Sequence, residues 1–298
     1  MKTYELPNGL RIACQSWAET RFFYHEIFEE KVYLRNGITL RPGATVYDVG
    51  ANIGLFTLFV LQEFPGSRVF SFEPCPTLFE IARANAALLG GAEVFNVGLS
   101  DRARRASFTF YPNSPGMSSC YADEAEEREV LRTLLENQLA QGVAGMDQVI
   151  RHADDLLAER LKTEIFEVEL RPLSEVIHEL GTQRIDLLKI DVQKSEADVV
   201  AGIDEADWEK IEQVVLEVHD IGGRLGEMVR LLEARGFTVD ACQDELYTGS
   251  TTYNLFARRD RASLARRTAP PRPGVEERAR NLRLSLRRPK SSIKGDCS

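Results

Sequence analysis

The run Val46-Tyr47-Asp48-Val49-Gly50-Ala51-Asn52-Ile53-Gly54 constrains the fold of this chain more than any other stretch. It reads as a buried strand over 45–49, a glycine-rich turn, and an apolar helix over 55–63. Where such a strand ends and a helix begins, side chains and backbone N–H groups converge on a ligand. Asp48 lies at that end. About twenty residues on, a second strand over 68–72 ends in Glu73-Pro74, and an acid there can accept both hydroxyls of a ribose. Strand, glycine turn, helix, strand and acid together describe an adenosine-cofactor site.

The dinucleotide form of this unit expects G-x-G-x-x-G, whose second glycine lets backbone approach a pyrophosphate. The turn Gly50-Ala51-Asn52-Ile53-Gly54 has one glycine fewer and an acid just before it. S-adenosylmethionine (SAM) has no pyrophosphate, but its amino-acid end carries an ammonium and a carboxylate. Asp48 suits that region through an ordered network, and the N–H groups of the turn suit the carboxylate. The bland alternative is an αβ turn whose glycines only permit tight packing.

The segments Asp48–Gly54, Phe72-Glu73-Pro74 and Asp186–Val192 resemble the FkbM family of SAM-dependent methyltransferases. The likeness runs from about Glu19 to Arg258. It implies an α/β, Rossmann-like class I methyltransferase with a seven-stranded, mostly parallel sheet and helices on both faces. Family members typically methylate hydroxyls of polyketides, glycolipids or other sugars. Met117-Ser118-Ser119, Glu217-Val218-His219-Asp220 and Tyr253-Asn254-Leu255 resemble the branch found with polyketide and mixed peptide–polyketide synthases. One departure stands out. Many members continue one strand as Asp-Val-Glu-Gly-x-Glu, whereas this chain has Asp191-Val192-Gln193-Lys194-Ser195-Glu196. The first acid is missing, and Glu196 remains.

At 298 residues one large domain, or one with an appendage, is expected. No apolar run reaches the length of a membrane span, and the start lacks the apolar core of a signal peptide. Five scattered cysteines without a C-x-x-C pair read as reduced thiols of a cytoplasmic protein. From Arg258 onward thirteen basic and four acidic residues give +9, so a net charge of −9 leaves about −18 on the rest. An acidic body suits neither nucleic acid nor an anionic membrane. The basic tail, 259–298, reads as disordered; its other reading is docking on an acidic partner such as a carrier protein.

Residues 1–40 read as a hairpin turning at Asn8-Gly9 and a helix over 19–28, part of the catalytic unit. Residues 41–258 form the methyltransferase domain. Strand and helix alternate over 45–49, 55–63, 68–72, 77–89 and 93–96, which implies a parallel sheet. An added strand is expected over 106–110. A helical insertion over 111–161, with a charged helix from 123 to 139, reads as a lid or a solvated decoration. A strand over 166–171 and a helix over 173–180 then resume the core. Further strands fall at 185–191, 213–219, 237–241 and 252–257, the last expected to be antiparallel.

Methyl transfer from a sulfonium is an in-line displacement, so positioning carries much of the rate, and a hydroxyl acceptor also needs a base. His219 ends a strand, and period-two alternation puts Glu217 on the same face to orient its ring; Asp220 is the alternative orienting acid. Asp191 is expected to face the methionine end of SAM or the acceptor, unless it caps a helix. The cofactor set is Asp48, Gly50, Ala51, Asn52, Gly54, Glu73, Pro74, Leu99, Ser100 and Asp191, with Leu99-Ser100 beside the adenine. Candidate substrate contacts are Tyr24, His25, Met117, Gln193, Lys194 and Asn254. Lys194 reads as an alkoxide stabiliser, a binder of an acidic substrate group, or a solvated lysine. No H-x-x-x-H or H-E-x-x-H spacing exists, so no metal is expected; the alternative is a divalent ion bound by the Asp191/Glu217 pair.

The expected function is SAM-dependent O-methylation of a small-molecule hydroxyl, free or carrier-bound, in secondary metabolism. Sugar or glycolipid O-methylation, N-methylation, and an inactive SAM-binding protein are the alternatives. The joint presence of Asp48, Glu73, Asp191 and His219 argues against the last.

Overall fold

The computed structural model describes residues 2–143 and 145–259. Apart from Arg259, the expected basic tail and both readings of it lie outside these residues. Strands β1 (Lys2–Glu5) and β2 (Arg11–Cys14) form the hairpin, and Leu6 and Gly9 close its turn. Helix α1 (Trp17–Tyr24) is capped by the Ser16 side chain. It was expected to continue to Phe28. Instead the chain widens into a π-turn over His25–Glu29, then a 3-10 turn over Val32–Leu34.

The alternating region follows: β3 (Thr45–Val49), α2 (Leu55–Glu63), β4 (Arg68–Phe72), α3 (Pro76–Ala86) and β5 (Ala92–Phe95). Short β6 (Gly98–Leu99) and β7 (Arg104–Phe110) precede the insertion, which holds α4 (Glu124–Ala140), α5 (Met146–Arg151) and α6 (Ala153–Arg160). Then come β8 (Glu164–Arg171), α7 (Leu173–Glu179), β9 (Leu187–Ile190), α8 (Glu196–Ala201), α9 (Glu205–Trp208), β10 (Gln213–His219), α10 (Arg224–Ala234), β11 (Phe237–Cys242) and β12 (Thr252–Arg259).

The central sheet has seven strands in the order β11-β12-β10-β9-β3-β4-β5. Only β12 runs against its neighbours, wedged between β10 and β11. The chain moves outward from β3 to β4 and β5, then returns to pair β9 on the other side of β3. That reversal opens a crevice at the carboxyl ends of β3 and β9. Alternation splits the buried residues between two cores. Val46 joins Leu55, Phe59 and the hairpin's Leu6 and Ile12 on one face. Tyr47 and Val49 join Trp208 and Leu232 on the other.

One strand departs from expectation. Residues 164–171 do not enter the central sheet but form a separate three-stranded sheet, order β6-β8-β7. Glu164, Glu167 and Glu169 are exposed while Val168 and Leu170 are buried. A strand covered by helices on both faces could not carry that polar face. The insertion has a core of its own, from Tyr111, Leu131, Leu135, Met146, Leu157 and Leu161. Among the described residues no helix is long and apolar enough to cross a membrane.

Candidate active site

The glycine turn after β3 is tightly built. Gly50 has φ +78°, and a Cβ there would overlap the carbonyl oxygen of Asp191. The turn's N–H groups were expected to take the cofactor's carboxylate, but each already has a protein acceptor. Gly50 and Ala51 donate to the Phe72 carbonyl at 3.0 Å, and Gly54 donates to the Ala51 carbonyl. Ile53 donates to the Asn52 side chain, and Asn52 to Glu73 Oε2 at 2.9 Å. Glu73 Oε1 accepts from the Cys75 N–H at 2.9 Å. Glu73 is thus fixed at the end of β4 by two backbone donors. Burial raises its pKa to about 7 against those donors.

Asp48 is expected to serve the cofactor's amino-acid end through an ordered network. It is fully buried below the turn, accepts from Thr57 Oγ1 at 2.8 Å, and does not line the cavity. Its partner is Lys189, opposite it across the β3–β9 pair, at 3.1 Å. Lys189 Nζ also donates to the Gly50 carbonyl at 2.8 Å and lies 3.8 Å from Asp191. Burial alone would discharge this lysine; Asp48 and Asp191 outweigh it and hold its pKa up. Asp48 therefore supports the turn from beneath. Asp191 is not a helix cap. It accepts the Tyr33 hydroxyl at 2.7 Å, and Gln193 Nε2 lies 3.4 Å away.

The partner of His219 differs from both acids expected for it. Nδ1 lies 3.0 Å from Glu196 Oε1, at the start of α8. Glu217 instead accepts from Gln193 Nε2 at 2.9 Å, and Asp220 accepts from the Leu225 N–H at the start of α10. Side-chain alternation does place Glu217 beside His219, but a ring at the end of a strand reaches over the edge. There the helix following β9 delivers Glu196. Glu196 is fully buried, with Arg224 at 3.3 Å on its other oxygen. A carboxylate partner makes Nδ1 the donor. Nε2 makes no protein hydrogen bond among the described residues. Burial lowers the imidazole's pKa; Glu196, Glu217 and Asp191 outweigh it, so the net shift is upward.

Lys194 is not a solvated lysine, although it borders the cavity. It is buried, and Nζ pairs with Glu126 at 2.6 Å and Glu127 at 3.2 Å on α4.

A family model described as "Methyltransferase FkbM domain" matches residues 48–239. The chain belongs to the FkbM methyltransferase family. It is a SAM-dependent methyltransferase. "31-O-demethyl-FK506 methyltransferase FkbM" of Streptomyces tacrolimicus is 46% identical over 87% of the chain and 97% of its own length. "AMB antimetabolite synthetase AmbE" of Pseudomonas aeruginosa is 44% identical over 85% of the chain, which spans only 12% of that synthetase. "Methyltransferase sdnD" of Sordaria araneosa is 32% identical over 74% of the chain and 83% of its own length.

The cavity of this FkbM methyltransferase has a volume near 1570 Å³. Single-ligand pockets run to about 1,000 Å³, so there is room for cofactor and a second sizeable molecule. Of the residues expected for the cofactor, Gly50, Ala51, Asn52, Glu73, Pro74, Leu99 and Asp191 line it, and Gly54 does not. Ser100 does not: it is buried, its N–H bonded to the Arg171 carbonyl and its hydroxyl to Asp101. All six residues of the substrate set, Tyr24, His25, Met117, Gln193, Lys194 and Asn254, border the cavity. Tyr24 is buried and stacked on Phe28, while His25 is exposed and paired with Glu29 and Glu30 at 2.5 and 3.2 Å. His25 is thereby held in surface ion pairs, which raise its pKa, Glu29 foremost.

Sequence reading missed part of the acidic wall. Glu26, Asp191, Glu217 and Asp244 all line the cavity. Burial, then Asp244 and Asp191, raises Glu26 to about 8. Burial and Asp191 likewise raise Glu217. Tyr33 had no local signal, because its partner lies 158 residues away.

Proposed function

We propose that this methyltransferase acts on a hydroxyl of a large, mostly apolar secondary metabolite, a polyketide or peptide–polyketide intermediate, with His219 as general base. SAM supplies an electrophilic methyl on a positively charged sulfur. The residues present fit that cofactor. Glu73 is held with its carboxylate at the cavity wall for the ribose hydroxyls, and Pro74 and Leu99 offer an apolar edge to the adenine. Glu26 and Glu217, crowded against Asp191, resist charging without a counter-cation, and a sulfonium and ammonium would meet that need. Asp48 and Lys189 hold the turn in shape.

The acceptor side is apolar. Leu131, Leu134, Leu135 and Met146 of the insertion face the cavity together with Phe22 and Phe23 of α1. Such a wall suits a bulky carbon skeleton better than a sugar. The names of the FkbM and AmbE relatives support the reading of secondary metabolism, on a free or an enzyme-bound intermediate.

The observation that carries the mechanism is the Glu196–His219 pair. With Nδ1–H donated to Glu196, Nε2 keeps its lone pair for the acceptor's hydroxyl proton. Once the proton is on Nε2, Glu196 stabilises the imidazolium, and Arg224 holds that carboxylate in place. The test is single-turnover transfer to 31-O-demethyl-FK506 and to a hydroxyacyl pantetheine thioester. His219→Ala should slow transfer about 10²–10⁴-fold while leaving SAM affinity unchanged. The wild-type rate should fall on the acid side, with a midpoint above the ordinary imidazole value. A His219→Ala rate near wild type across pH sinks the proposal.

A further inference from the structure

We propose that Lys194 is a positioning residue that couples docking of the insertion helix α4 to the placement of the Glu196–His219 pair. The inference rests on the reading of His219 as the base. It stands on the geometry of one loop, Gln193–Ser195, between β9 and α8.

Gln193 and Lys194 both have left-handed backbone, φ 48° and 73°. Two consecutive non-glycine residues in that region hold it only where the surroundings over-determine it. The surroundings here come from both directions. From the insertion, Glu126 and Glu127 hold the Lys194 ammonium, and Ser119 Oγ donates to the Gln193 carbonyl. Glu127 is itself buried, so the pair is shielded from solvent. From the catalytic side, the Lys194 N–H donates to Glu196 Oε1 at 2.7 Å, the same oxygen that accepts His219 Nδ1. The Lys194 carbonyl accepts from Arg224 at 2.8 Å, and the same nitrogen of Arg224 reaches Glu196 Oε2. The side chain of one residue therefore grips α4 while both of its backbone polar groups fix the carboxylate that orients the base.

The far end of α4 is tied as well. Asn137 donates to the carbonyls of Leu246 and Thr248, at 2.8 and 2.9 Å, before β12. The helix is thus fastened at two places around the cavity, and its first fastening is the loop that sets the base. When α4 leaves Lys194, the insertion holds this left-handed backbone only through Ser119 on the Gln193 carbonyl, and the Lys194 N–H is less firmly set on Glu196. The base is then fully aligned only with the insertion docked.

The His219 ring reports this without an acceptor. The charged groups facing it are Glu217 on its own strand, Asp191 at the end of β9, and Glu196 with Arg224 behind it. Two opposite outcomes separate coupling from plain charge removal. Deleting a nearby positive charge alone raises an imidazole's pKa, whereas freeing Glu196 lowers it. In an NMR titration of the full chain, Lys194→Met should move the His219 midpoint down and weaken the downfield Nδ1 proton of the His–carboxylate pair. Lys194→Arg should restore both. Hydrogen exchange over 124–140 should quicken in the Met variant, with SAM affinity within about twofold of wild type, since the lysine does not touch the cofactor residues. A midpoint that rises, or a Nδ1 proton unchanged while α4 exchange quickens, overturns the coupling. If Lys194→Met does not fold, the double variant Glu126→Gln, Glu127→Gln keeps the lysine in place. The same weakening of the Nδ1 proton is expected there, and an unchanged proton overturns the proposal. Transfer rates separate this from the reading beneath it. An inactive His219→Ala beside a Lys194→Met of wild-type rate and pH profile removes only the coupling; an active His219→Ala removes both.

Discussion

The floor and the roof of the cavity are built on opposite plans. At the floor, the turn between β3 and α2 uses every one of its N–H groups within the protein, and Glu73, Asp48 and Lys189 arrive with their partners in hand. The roof is made of α4, the π-turn and the loop at Gln193–Lys194. Its acids are crowded, its backbone is left-handed at two non-glycine residues, and its ties are a few side chains reaching across long sequence distances. A satisfied floor stays rigid and serves a constant ligand. A roof held at a few points can adjust to an acceptor.

The sharpest way to break this contrast is at the floor. Lys189→Met leaves Asp48 buried without its counter-charge and should lower stability by about 3–5 kcal/mol, read from the denaturant midpoint. A loss under about 1 kcal/mol would mean the floor is not the rigid half. Glu73→Ala comes next. It removes a charge-assisted acceptor and should weaken SAM binding by about 1.5–3 kcal/mol in calorimetry. An unaltered affinity would remove Glu73 from the ribose. At the roof, Asn137→Ala should cost no more than about 1.5 kcal/mol of global stability, yet speed hydrogen exchange across α4. Equal protection in both proteins would make the roof as rigid as the floor.

The smallest effect is a trend with pH. Glu26 lies near 4.5 in the unfolded chain and is raised to about 8 when folded. The folded state therefore binds more protons between those values. The contribution of Glu26 is fully present below about 4.5 and is lost as pH rises through about 8. A bound cation favours the ionised acid, so the thermal shift produced by SAM should grow from pH 6 to 9. A shift independent of pH over that range would count against the acidic wall as the cationic end's seat.

The cofactor floor was legible because its parts lie close together in sequence. Val46–Gly54 and Glu73-Pro74 carry the strand, turn and acid in one βαβ unit, and Gly50 stands where no side chain fits. His219 was legible as a strand end. Its partner was not, because alternation along β10 points to Glu217 whereas the ring's hydrogen bond runs to a different element, 23 residues away in sequence. Ser100 fell into the cofactor set through adjacency to Leu99, yet one residue of alternation turns it out of the cavity. Lys194 carries a charge that composition alone reads as solvated; only the docking of α4 buries it.

The sequence by itself determined the alternation of strand and helix, the antiparallel last strand, the glycine turn and the acid that follows it. These depend on local periodicity, glycine stereochemistry and spacing within a few tens of residues. The folded chain alone decided that the turn's N–H groups are already taken, that Asp48 answers to Lys189, that Glu196 orients His219, and that the insertion grips the catalytic loop through Lys194. Each of those is a pairing of polar groups brought together by the crossing of elements distant in sequence. Burial forces such groups to find partners, but it does not say in advance which ones.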